Sequence, residues 1–110
     1  IKALYAGAKH RAGDRGMEFS ILFEDLVVLF EHTHGRCTLT GVPFDLSRRR
    51  GPWVPSIDRI DATKGYANGN VRIVCLAANV AMMQWGENVL YIMAQSIYER
   101  GSQGMYLAAA

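Results

Sequence analysis

The sequence predicts a single α+β domain, a hairpin-plus-helix core flanked by additional helices. Three observations predict it. Residues 56–60 alternate around Asp58, and residues 70–75 set Val71, Ile73 and Cys75 on one face with Asn70 and Arg72 on the other, the two-residue period of a strand. A Gly-containing loop joins these runs, and after Cys75 the pattern turns helical, with Asn79 one turn in. Apolar stripes at helical spacing lie on either side, over 22–32 and 88–100. A helix folded back on the hairpin brings Asp58 and Asn79 together, and two oxygen ligands completed by water suit a hard cation such as magnesium.

At 110 residues the chain has enough material for one modest core. With 50% hydrophobic and 20% charged residues it has the composition of an ordered globular domain, which excludes a disordered chain. We expect one domain over 1–110, with its core at about 36–85, N-terminal helices within 1–34 and a C-terminal helix over 87–100. No apolar stretch is long enough to span a membrane. There is no secretory signal pattern, and two cysteines are too few for a disulfide framework, so a cytoplasmic setting with reduced thiols is expected.

Taken in order, residues 2–12 combine Ala, Leu and Lys in helix-favouring proportion, and Gly13, Asp14, Arg15 and Gly16 read as the turn that ends this basic helix. Residues 17–21 suit a brief extended segment. Over 22–32, Leu22, Leu26, Val27, Leu29 and Phe30 form a stripe, and Glu24 and Asp25 sit where they favour the positive end of the helix dipole. His34 and Gly35 stop that helix. Residues 42–46 are expected to be extended, and 47–53, with Arg48, Arg49, Arg50, Gly51 and Pro52, to be an exposed loop. The helix over 75–84 has Ala77, Ala78 and Ala81 on a small packed face. The last helix is expected to bury Val89, Leu90, Met93 and Ile97 and to end at Gly101–Gly104. Trp53 and Trp85 are expected in the core or at its rim, and Met82, Met83 and Met93 as core filling.

The net charge of +2 is unevenly spread. Lys9 and Arg11 on the first helix, and the run Arg48, Arg49, Arg50, are local basic patches that suit phosphate contacts, which give affinity without sequence information.

The segments CTLTG from Cys37, PSIDRID from Pro55, KGY from Lys64 and GNVRIVC from Gly69, with Asn79 beyond, resemble the HNH endonucleases of phages and bacteria. The resemblance covers about 8–100 and implies a ββα-metal core. It implies that Asp58 and Asn79 hold a catalytic divalent ion, Mg2+ or Mn2+, that Asn70 is mainly structural and braces the loop, and that DNA is the partner. It also implies a cytoplasmic protein of a bacterial host or phage. Arg59 stands where the family places its general-base His. A guanidinium does not accept a proton from water, so Arg59 suits the scissile phosphate instead, and Asp61 is the nearest carboxylate in sequence for proton transfer, with Tyr66 a weaker candidate. The bland reading has Asp58 in a salt bridge with Arg59 or Arg72 and Arg59 paired to Asp58 or Asp61. The family's zinc knuckle uses two Cys pairs, but here Thr40 and Ala78 replace one Cys of each. Recruiting His32 and His34 is the alternative to having Cys37 and Cys75 packed as small hydrophobes, and we expect the packed form with no structural Zn2+. Two functions follow: a divalent-metal-dependent DNA endonuclease, or a catalytically inactive HNH scaffold that binds nucleic acid or inhibits a protein partner.

Overall fold

In a computed structural model, which describes residues 1–102, the chain runs α1 (Lys2–Arg15), α2 (Phe23–His32), β1 (Pro55–Arg59), β2 (Val71–Cys75), α3 (Leu76–Met82) and α4 (Glu87–Ser102). The strands pair antiparallel, with Pro55 opposite Cys75, Ile57 opposite Ile73 and Asp58 opposite Arg72. The predicted elements are present, with shifted ends. α1 continues through Gly13, Asp14 and Arg15 and ends only at Gly16, whose φ of 65° closes the helix in the left-handed region. α3 stops at Met82 and α4 starts at Glu87. Gly101 is the last turn of α4 and not its stop, while Gly104 and the Ala-rich tail lie outside the described residues.

Every element except α4 contributes fully buried residues to the core, and α4 packs its half-buried Leu90 against it. Ala8 and Ala12 of α1, Leu26 of α2, Ile57 of β1, Val71, Ile73, Val74 and Cys75 of β2, and Ala78 and Met82 of α3 are buried together. Small alanines on α1 let that helix lie close to the hairpin. α2 begins with half of a capping box: the Asp25 carboxylate accepts the Leu22 N–H at 2.9 Å. The first turn of α3 is closed by backbone, Leu76 N–H donating to Val54 and Ala77 N–H to Pro52, each at 2.9 Å.

α4 departs from expectation. None of its residues is buried; Val89, Met93 and Ile97 are exposed and Leu90 is half-buried. The stripe is real, but α4 meets the rest of the molecule mainly through the short α3, which is too small to cover it. Trp53 and Trp85 are also exposed, as is Met83, which sits at a positive φ of 43° after α3; only Met82 fills the core as expected.

The N-terminal half and the hairpin meet at one seam. The extended segment after α1 pairs with the hairpin loop through Phe19 and Tyr66: Tyr66 N–H donates to Glu18 at 2.9 Å and Ser20 N–H to Tyr66 at 2.8 Å. Tyr5, Phe19 and Tyr66 follow one another with ring centroids 5.3 and 5.4 Å apart, a favourable aromatic spacing. Gly65 is required here by proximity: a Cβ at this position would collide with the Glu18 carbonyl oxygen and stand 2.7 Å from the Glu18 Cβ. Gly65→Ala is therefore expected to cost about 2 kcal/mol or more of stability, because the clash is with backbone and not a flexible side chain. A urea denaturation midpoint equal to that of the unaltered chain would show the seam to be loose.

Candidate active site

Register places the central side chains. Asp58 and Arg72 are directly opposed across the hairpin, so both project from the same face. Arg72 Nε donates to Asp58 Oδ2 at 2.8 Å, and the two side chains are only 15% and 8% exposed. The guanidinium has two weaker neighbours: its Nη1 is 3.6 Å from Glu87 Oε2 and its Nη2 is 3.7 Å from Met82 Sδ. A cavity of about 20 Å³ opens beside this pair, with Asp58, Arg59, Arg72, Met82 and Gly86 among its walls.

Arg59 bends into the loop that follows β1. Its Nη1 donates to the carbonyls of Ala62 and Lys64 at 2.8 and 2.9 Å, and its guanidinium carbon lies 5.5 Å from the centroid of the Tyr66 ring. That is cation–π range, so loop carbonyls and an aromatic face hold this charge in place of a carboxylate. Of the two ion-pair arrangements considered for Asp58, the structure contains the one with Arg72. Asp61 takes no part in the cavity wall. Its carboxylate accepts the Thr63 hydroxyl at 2.6 Å and the Thr63 N–H at 3.0 Å, and Lys64 Nζ lies 3.9 Å away. Tyr66 is buried under Arg59.

Asn70 closes the same loop from the other side. Its Oδ1 accepts the Asp61 N–H at 2.8 Å, and its Nδ2 donates to the carbonyls of Gly65 at 2.8 Å and Asp61 at 3.2 Å. A carboxamide suits this position because it alone offers an acceptor and two donors in one plane. Asn79, on α3, donates through Nδ2 to Ser56 Oγ at 2.7 Å and to the Ile57 carbonyl at 3.2 Å. This fixes the side chain against β1, next to Asp58 in sequence, and leaves the amide oxygen outside these two bonds.

The basic candidates are on the surface. Lys9 and Arg11 of α1 and Arg48, Arg49 and Arg50 are all exposed, with Arg48 Nε 3.3 Å from Asp45. Cys37 and Cys75 are buried and free. The Cys37 sulfur accepts the N–H groups of Cys75 at 3.2 Å and Thr40 at 3.4 Å, so the knuckle turn is closed on β2 by backbone-to-sulfur bonds. Burial pushes the Cys37 thiol up, but donors from Thr40, Cys75 and Leu39 converge on its sulfur and leave it below its ordinary value. Burial, with the neighbouring Cys37 sulfur, pushes Cys75 above its own. His32 is engaged within its helix, donating from Nδ1 to the Val28 carbonyl at 2.8 Å.

Of the residues at the site, Arg72 was expected only as a salt-bridge partner of Asp58, and Glu87 fell outside the sequence-based candidates. Arg72 had a signal, since the hairpin register pairs it with Asp58. Glu87 had none, because its approach depends on the turn between α3 and α4.

A hairpin with an Asn-braced loop, capped by a helix and flanked by others, is the α+β, HNH-like fold expected. The likeness that establishes it is to the rare-cutting HNH restriction endonuclease PacI, 14% identical, covering 93% of this chain and 80% of that one with a TM-score of 0.66. No protein-family model and no curated protein matches the chain.

The fit of a divalent ion rests on the donors present. Asp58 offers a largely buried carboxylate and Asn79 an amide oxygen; among the described residues no group of three or more His, Cys, Asp or Glu side chains surrounds them. Asp58, already bonded to Arg72, is the one carboxylate in the cavity wall, and Asn79 is not part of that wall, so these donors would hold a hard cation only with water supplying most of its ligands.

Two outcomes follow for the loop. Asn70→Ala is expected to lower stability by about 2–3 kcal/mol, since it strands one N–H and two carbonyls in a half-buried loop, while Asn70→Asp retains the acceptor for the Asp61 N–H and loses the donors. Chemical denaturation of both variants checks this, and equal losses would contradict it. The Thr63 hydroxyl and N–H hold the Asp61 carboxyl below the usual carboxylate range. With the folded value depressed, their stabilisation is complete above that range and disappears as pH falls through the lowered value. Thr63→Ala should raise the Asp61 value toward the ordinary one in a carboxyl-carbon NMR titration; no movement would rule out the hydroxyl as the cause.

Proposed function

We propose that the chain is a divalent-metal-dependent DNA endonuclease that hydrolyses phosphodiester bonds. The observation that carries this reading is a largely buried Asp58 carboxylate at a cavity shared with two guanidiniums, on the hairpin of an HNH-like fold. Asp58 and Asn79 would hold Mg2+ or Mn2+. When bound, the cation stabilises negative charge on the phosphodiester oxygens. Arg59 has one nitrogen committed to the loop carbonyls, and its remaining N–H groups serve the scissile phosphate by charge-assisted hydrogen bonds. Asn70 keeps Arg59 and the end of β1 in place through the loop. Asp61, three residues after Asp58 and outside the cavity wall, is the carboxylate assigned to take a proton from the attacking water, and it must first give up its bonds to Thr63. Arg48, Arg49, Arg50, Lys9 and Arg11 contact DNA phosphates, independently of base sequence.

The test is nicking of supercoiled plasmid with Mg2+ or Mn2+. The native chain is expected to nick, and Asp58→Ala to reduce the rate by about a hundredfold or more. If no divalent ion supports nicking and only Arg59→His creates it, the enzyme reading fails and the scaffold is a binding module.

A further inference from the structure

We propose that Arg72 is an exchangeable counter-cation: a divalent ion gains Asp58 only by displacing its guanidinium, which Glu87 on α4 then receives. This rests on Asp58 being the cation ligand of the endonuclease proposed above.

Three observations lead there. Asp58 is not a vacant ligand, because Arg72 Nε lies 2.8 Å from its Oδ2 in a largely buried pair. A small divalent ion binds a carboxylate oxygen at about 2.1 Å, so ion and guanidinium nitrogen would stand within about 5 Å of each other on the same oxygen and within about 7 Å across the two, like charges with little water between them. The guanidinium also has somewhere to go. Its Nη1 is already 3.6 Å from Glu87 Oε2, and Glu87 is 51% exposed, in the first turn of α4. The remaining neighbour, Met82 Sδ at 3.7 Å, is a weak acceptor that does little to pin it.

Moving Arg72 from Asp58 to Glu87 keeps both charges compensated. The ion takes over the buried carboxylate, and the guanidinium moves to an acid that water already reaches. Glu87 is thus a positioning residue that acts through Arg72, and ion affinity depends on it although it need not touch the ion.

Isothermal titration of Mn2+ into the full chain, without DNA, tests this. Removing the competitor in Arg72→Gln should tighten Mn2+ binding about tenfold, and removing the receiving acid in Glu87→Gln should weaken it about threefold. In the Arg72→Gln background, Glu87→Gln should have no further effect, since there is no guanidinium left to receive. Asp58→Asn should abolish binding in every background. Melting gives a second readout: Arg72→Gln should melt earlier than the native chain without Mn2+ and gain more from adding it. Glu87→Gln alters an exposed side chain, so its result stands even if Arg72→Gln folds poorly.

Equal or weaker Mn2+ binding by a folded Arg72→Gln overturns the proposal. So does a Glu87→Gln effect that persists without Arg72, which would make Glu87 a direct ligand. If the native chain binds Mn2+ through Asp58 and nicks plasmid while both variants bind as it does, the exchange is wrong and the endonuclease reading stands. If neither the native chain nor Arg72→Gln binds Mn2+, both fall.

Discussion

The loop between the strands is held by one carboxamide, and much of the molecule depends on it. Asn70 joins the Asp61 N–H to the carbonyls of Asp61 and Gly65, and so fixes the path of 61–65. Only with that path set do the carbonyls of Ala62 and Lys64 converge on Arg59, and only then does Tyr66 arrive beneath its guanidinium. Tyr66 in turn carries the backbone bonds to Glu18 and Ser20 that attach the N-terminal helices. A local polar network thus orders both the end of β1 and the packing of α1, which is why a half-buried Asn is worth its desolvation here.

The other polar centre is the Asp58 and Arg72 pair. Two charges taken this far out of water are weak evidence for stability as such, since hydrophobic replacements often serve a core as well or better. Their value lies in placement. The pair sits where β1, β2 and the end of α3 meet, and it keeps a carboxylate at a surface cavity that the apolar core would otherwise close over. The knuckle illustrates a cheaper solution to a similar problem. Around Cys37, backbone N–H groups are satisfied by sulfur, so the turn stays shut with two thiols and ordinary packing.

The hairpin, α3 and the bracing role of Asn70 were legible because each leaves a local signature: alternation for the strands, a change of period after Cys75, and an amide at the foot of a Gly-containing loop. The site was legible in part. Strand alternation put Asp58 and Arg72 within reach of each other, but the direction of Arg59 could not be read, since it depends on where two loop carbonyls end up. α4 shows the limit most clearly. Periodicity identifies which face of a helix is apolar, and Val89, Met93 and Ile97 do share one; it says nothing about whether enough neighbouring surface exists to cover that face. Trp53 and Trp85 are exposed for the same reason, because size and hydrophobicity favour burial only where a pocket is available.

The close approach at Gly65 has a consequence for how such a chain can change over generations. With the Glu18 backbone against the site a side chain would occupy, the hairpin loop and the segment before α2 form a matched pair of surfaces. Either half can drift freely at its solvent side, but neither can be exchanged for the corresponding piece of a distant homologue unless its counterpart comes too. Recombination within this domain would therefore succeed with crossovers before Glu18 or after Tyr66, which keep Gly65 with its own Glu18, and fail with a single crossover between the two, the exposed arginine loop around 48–50 included.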